Sequence, residues 1–177
     1  MTKDFNDAEL QQEYSLIPAN TFAKARLVIK PGNHFSDSIL TGSKSRTSAA
    51  SGDSSYLSVE YIILEGQYAK RKVFDKIGVT GNDIWVNMGK ARIRAILESA
   101  KNISPKDMSE SAMAARKINS FEELNNLDVV IKIGVESDRN GVYQDKNKVV
   151  AIITPDNQFY GEYMNGDRTQ NQYIGGL

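Results

Sequence analysis

Five runs of alternating side chains, with one long amphipathic stripe between the third run and the fourth, predict a mainly β domain with helices (α+β). The order strand, strand, strand, helix, strand, strand is the plan of an OB-fold-like five-stranded barrel with a helix between strands 3 and 4. At 177 residues, 40% of them hydrophobic, the chain is long enough for one such domain to bury a core without staples.

The first 15 residues are polar and acidic, anchored only by Phe5, Leu10 and Tyr14, and read as a mobile acidic arm or one short helix. The expected domain spans residues 16–154. Pro18 keeps its predecessor extended and leads into the first strand, 21–29, where Ala23, Ala25, Leu27 and Ile29 alternate with Phe22, Lys24, Arg26 and Val28. Pro31-Gly32 ends that strand and opens a long loop, 31–55, rich in Ser, Gly, Thr and Asp and carrying His34, Lys44 and Arg46. Loops of this length in compact domains are functional or disordered. From Tyr56, Leu57, Val59, Tyr61 and Ile63 alternate with Tyr56, Ser58, Glu60 and Ile62 to make the second strand, and Val73 to Ile77 repeats the pattern as the third. The Gly-containing link Glu65-Gly66-Gln67-Tyr68-Ala69 between them has hairpin length.

Residues 83–101 place Val86, Ile93, Ile96, Leu97 and Ala100 on one helical face and Lys90, Arg94, Glu98 and Lys101 on the other. A helical insertion, 103–126, follows. Ser104-Pro105 is expected to start a helix to about residue 118, and Ser120-Phe121-Glu122-Glu123 reads as a capping box. Residues 128–137 alternate as the fourth strand, with Val129, Ile131, Ile133 and Val135 inward. Asn140-Gly141 marks a hairpin, 147–153 is the fifth strand, and 155–177 is a polar, tyrosine-containing tail.

The net charge is zero, but its distribution is uneven. Residues 1–14 carry a net −3, residues 15–106 a net +7 and residues 107–177 a net −4. A basic body between acidic ends invites a polyanionic partner. Cysteine is absent and His34 is the only histidine, which leaves thiol and histidine-paired nucleophile schemes with little to work with. The segment from Gly81 to Lys90 has the wrong spacing for a phosphate-binding loop, and Asp138-Arg139-Asn140-Gly141 places its glycine too early for a calcium loop. The expectation is a non-enzyme with neither cofactor nor metal. The start of the chain lacks an apolar leader, and no apolar run nears membrane-spanning length, so no membrane contact and a cytoplasmic location are expected.

OB-folds bind oligonucleotides across strands two and three and through the loops joining strands one–two and four–five. Here those are the stretch 56–76, the loop with Lys44 and Arg46, and the hairpin 138–148. Single strands offer a line of phosphates and bare base faces, so cations beside aromatic rings are what a binder needs. The candidate nucleic-acid-binding residues are Lys24, Arg26, Lys44, Arg46, Tyr56, Tyr68, Lys70, Arg71, Lys72, Phe74, Lys132, Tyr143, Lys146 and Lys148. For each aromatic the competing role is core or loop packing, and for the triplet Lys70-Arg71-Lys72 it is a solvated strand edge.

The lead-in Leu16-Ile17-Pro18-Ala19-Asn20-Thr21-Phe22, the element Gly66-Gln67-Tyr68-Ala69-Lys70-Arg71-Lys72-Val73-Phe74, the strand from Leu127 to Glu136 and the asparagine-containing stretch before Val149 resemble a family of small bacteriophage and prophage proteins. Its members are encoded near replication and recombination genes and are regarded as single-stranded DNA-binding proteins. Asn20 stands where a glycine is usual, and the long loop and the helical insertion depart from the pattern. The resemblance implies single-stranded DNA as partner, with phage recombination or replication proteins as further partners through the C-terminal tail. Homo-oligomerisation is open. Two alternatives stand beside this reading: a recombination accessory protein working mainly through an annealing protein or nuclease, and a structural or protein-interaction barrel without nucleic-acid binding.

Overall fold

The alternating runs become a six-stranded antiparallel sheet in the computed structural model, which describes residues 2–10, 15–33, 37–43 and 54–166. Strand β1 (Thr21–Ile29) lies at its centre and buries Ala23, Ala25, Leu27 and Ile29. A short β2 (Thr41–Ser43), within the stretch expected as a loop, pairs with the start of β3 (Ser54–Ile63). On one side β1 pairs with β3, Leu27 opposite Tyr61, and β4 (Lys72–Thr80) pairs with β3, Leu57 opposite Ile77. On its other side β1 pairs with β5 (Asp128–Glu136), Ala23 opposite Ile131, and β6 (Lys146–Ile153) pairs with β5.

The long strands therefore run β4-β3-β1-β5-β6. Among the described residues no ladder joins β4 to β6, so the sheet is unclosed where an OB-fold-like five-stranded barrel was expected. The seam is spanned by helix α1 (Asp83–Lys101), capped at Asn82, whose side chain accepts the Trp85 N–H at 2.9 Å. Arg92 reaches from α1 to both edges. Its Nε stands 3.3 Å from Asp75 Oδ2 on β4, and its guanidinium donates to the Val149 carbonyl on β6 at 3.3 Å. Close approach is what permits this: a Cβ on Gly89 would lie 1.9 Å from the Gly78 carbonyl oxygen, so only glycine lets α1 sit this near β4.

One core joins Leu27, Leu57, Tyr61 and Ile131 of the sheet to Ile96 and Leu97 of α1. Glu98, expected on the solvent face of that helix, is buried because Arg94 and Arg116 each bring Nε within 2.7 Å of it. Arg116 belongs to the insertion, whose helix α2 (Glu110–Ala115) starts at a Ser109 cap instead of at Ser104. Asn147 holds the lead-in: its side-chain oxygen accepts the Ile17 N–H at 2.9 Å and its amide donates to the Ile17 carbonyl at 2.8 Å. Among the described residues no helix is long and apolar enough to cross a membrane.

The segment expected as a polar tail from residue 155 begins with a docked helix, α3 (Tyr160–Asn165), while 167–177 lie outside the described residues. Tyr160 is 5% exposed and packs with Val130 and Ile153, with Phe22 and Tyr163 alongside. Its hydroxyl donates to the Ser99 carbonyl, and the Ser99 hydroxyl accepts the Val130 N–H at 3.0 Å.

Two outcomes follow. Arg92→Met should cost about 1–3 kcal/mol at neutral pH, because it leaves a largely buried carboxylate without its partner. Burial raises the Asp75 carboxyl above its ordinary value, against the lowering pull of Arg92. The folded state thus takes up this proton more readily than the unfolded chain, and the carboxyl's unfavourable term fades as the pH falls. The deficit of the Arg92 variant, measured by urea denaturation, should accordingly shrink on acidification. Removing 155–177 should lower stability by about 2–4 kcal/mol through the lost burial of Tyr160, read as a fall in melting temperature.

Candidate nucleic-acid interface

The pleat of β4 sends Val73, Asp75 and Ile77 inward and Lys72, Phe74 and Lys76 outward. Phe74 is 57% exposed, unusual for a large apolar ring in the middle of a strand. Opposite it in register on β3 stands Glu60. Lys30, just beyond β1, brings its Nζ to 5.4 Å from the centre of the Phe74 ring and to 3.1 Å from Glu60 Oε1, while Lys72 Nζ lies 3.1 Å from Oε2. Burial alone would raise the Glu60 carboxyl, but the hydrogen bonds from Lys72 and Lys30 outweigh it and hold the group below its ordinary value.

Across the unclosed seam, β6 carries Lys146 and Lys148. With Arg71, Lys72, Phe74 and Lys76 they line a groove of about 610 Å³, to which Asp75, Glu136 and Asp145 also contribute. Lys146 and Glu136 pair at 3.3 Å, but both are well exposed, so the pair is weak and exchangeable. The groove runs on into a second hollow that shares Glu136 and Lys146 and adds Asp138, Arg139 and Tyr143. There the Asp138 carboxylate accepts the N–H groups of Val142 at 2.7 Å and Tyr143 at 2.9 Å. Those bonds, that from Tyr143 foremost, lower its pKa and fix a loop that presents Tyr143 79% exposed. Near the other end of β4, Lys76 Nζ lies 5.2 Å from the centre of the Tyr56 ring, which meets Trp85 edge to face at 6.5 Å.

The structure thus brings Arg71, Lys72, Phe74, Lys146 and Lys148 to one groove, with Tyr143 and Tyr56 near its two ends. It places the other candidates elsewhere. Tyr68 packs half-buried against the core, with Arg71 5.9 Å from its ring, and Lys70 sits in the turn at φ 70°. Arg26 is held by Asp128 through bonds of 2.8 and 3.1 Å. Lys132 lies 5.8 Å over Phe22, and Lys24 stands opposite Val130, both on the sheet face that α3 covers. Lys44 and Arg46 lie outside the described residues. Lys30 was missed as a site residue, and Lys76 and Arg139, though inside the expected stretches 56–76 and 138–148, were not singled out. Lys76 shares the parity of Lys72 and Phe74, and Lys30 that of the outward row of β1, so strand alternation alone points to both. Among the described residues no three His, Cys, Asp or Glu side chains cluster as a metal site would require.

No family model matches the chain, and no curated protein matches it. Among solved structures it is similar to a chain of yeast RPA bound to ssDNA, at 10% identity and a TM-score of 0.36, covering 90% of each chain. At that score the likeness bears on neither fold nor ligand, and the interface rests on its own geometry.

The two kinds of aromatic position should separate in melting experiments. Phe74→Ala should change stability by no more than about 0.5 kcal/mol, as is usual at exposed sites, whereas Tyr68→Ala should cost about 1–2 kcal/mol.

Proposed function

We propose that the chain is a non-catalytic single-stranded DNA-binding protein of the phage and prophage type, coating single strands during replication or recombination in the bacterial cytoplasm. The observation that carries this reading is Phe74: an exposed ring in a groove whose two walls hold Lys72, Lys76, Lys146 and Lys148. A base can stack on the ring while its flanking phosphates meet lysines from β4 and β6, the combination that sequence-tolerant binders of single strands use. Tyr143 extends the path by a second platform. The strand order β4-β3-β1-β5-β6, with α1 inserted in sequence between β4 and β5, supports an OB-type reading of the fold in which the last seam is left open. Recruitment of recombination or replication partners through the end of the chain would fall to residues beyond α3.

Fluorescence anisotropy with a labelled oligo(dT), repeated at several salt concentrations, tests the reading. With roughly three to five phosphates engaged, log affinity should fall against log salt with a slope of about −2 to −3.5. Changing Lys76, Lys146 and Lys148 together to Gln should flatten that slope by about 2 and weaken all sequences alike, since phosphate contacts carry no base information. Phe74→Ala should cost roughly 1–3 kcal/mol of binding at an unchanged slope. Wild-type protein that ignores the oligonucleotide at low salt would leave the protein-interaction reading in its place.

A further inference from the structure

Glu60 is an acid at the centre of the basic face. It is 7% exposed, stands in register with Phe74, and has a lysine ammonium 3.1 Å from each of its two oxygens. One of those ammonium groups, that of Lys30, also lies over the Phe74 ring. Two cations converging on a fixed oxyanion beside an aromatic platform is the arrangement a stacked nucleotide's phosphate would require. The lysines themselves are about half exposed, with side chains at 48% and 49%, so they can swing from carboxylate to phosphate without unfolding anything.

We propose that Glu60 is an internal phosphate mimic that competes with nucleic acid for Lys30 and Lys72 and so sets the affinity of the Phe74 platform. The inference rests on the single-stranded DNA reading. Its physical content is a difference in charge: with Glu60 ionised the platform carries one net positive charge, and with the carboxylate neutralised it carries two. Phosphates approaching Phe74 must displace an anion that is already bound and cannot diffuse away. Binding at this point is therefore weakened and made easier to reverse, which suits a protein that has to leave its strand. A role confined to holding the lysines in place makes the opposite prediction, because loss of the carboxylate would then disorder the cations and weaken binding.

The decisive measurement is oligo(dT) binding by Glu60→Gln, which preserves the shape of the side chain and removes its charge. The variant should bind more tightly than wild type at 50 mM salt. Its salt slope should be steeper by about 0.7–1.4, one to two additional phosphate contacts, so the advantage should shrink about three- to sevenfold between 50 and 200 mM. Lys72→Gln should weaken binding more in the Glu60→Gln background than in wild type, because only there is the ammonium free of its internal anion. Melting curves accompany each variant, and Glu60→Thr, which suits a strand, replaces the Gln variant should that one fail to fold. Equal or weaker binding by the folded variants at an unchanged slope, with wild type still binding, overturns the proposal and leaves Glu60 as a positioning residue. Wild-type protein that does not bind oligo(dT) at all overturns the nucleic-acid reading and the proposal together.

Discussion

The seam between β4 and β6 is the constraint on which the rest of the architecture depends. Two strand edges face each other there without a ladder, and edge N–H and C=O groups left without partners inside a protein are costly. Arg92 answers part of that cost from α1, giving a donor to the Val149 carbonyl and a counter-charge to Asp75. It can do so only because Gly89 lets the helix backbone approach that of Gly78 so closely, while the bare Gly78 leaves room for the Trp85 indole. The open seam also shapes the surface outside it. In a hydrogen-bonded pair, β4 and β6 would lie about 4.8 Å apart and their outward side chains would crowd into one ridge. Held apart, Lys72, Phe74 and Lys76 form one wall of a groove and Lys146 and Lys148 the other. Asp75 lines both this groove and another hollow, which Trp85 and Arg92 of α1 share with β4 and β6, so the closing contact and the candidate interface share a residue.

Most of the strand plan was legible because it rests on local alternation. Leu27, Tyr61 and Ile131 are fully buried where the pattern turned them inward, and α1 spans 83–101 as its apolar stripe required. What was not legible depends on contacts between distant parts of the chain. Nothing local distinguishes Glu98 from the solvent-facing acids of a helix; it is buried because Arg116, 18 residues later, folds back onto it. Tyr160 looks like one more tyrosine of a polar tail until the hydroxyl finds the Ser99 carbonyl and the ring finds Val130. Of the triplet Lys70-Arg71-Lys72, only Lys72 falls on the strand, because Lys70 adopts a left-handed turn conformation that the hairpin length alone does not reveal.

The basic character of residues 15–106 overstates what is open to a ligand. Arg26, Arg92 and Arg94 are each engaged by a carboxylate of the fold: Asp128, Asp75 and Glu98. The groove walls, in contrast, are furnished chiefly by lysines. The division follows from the two side chains. A guanidinium offers a planar fork that suits fixed, partly buried carboxylates, whereas an ammonium on a flexible stem accommodates phosphates whose positions vary along an irregular single strand. Counting charge along the sequence therefore locates the basic region but cannot say which of its cations the fold has already used.

A chain of zero net charge can hold such a groove because electrostatic reach in salt is short. At physiological ionic strength charges separated by more than about 8 Å are largely screened from one another, so a phosphate responds to the lysines beside it and hardly to the acids of the distant arm. Local acids are another matter. Glu60 lies within the row that contains Phe74, and Glu136 and Asp145 lie within the groove itself. Their influence is undiminished by screening at contact distance, and they lower the field along the groove that the proposed function assigns to a strand. On the proposed reading, affinity at this surface would be set by the balance of neighbours a few ångströms apart, and the exposed rings of Phe74 and Tyr143 would supply the part of it that salt does not touch.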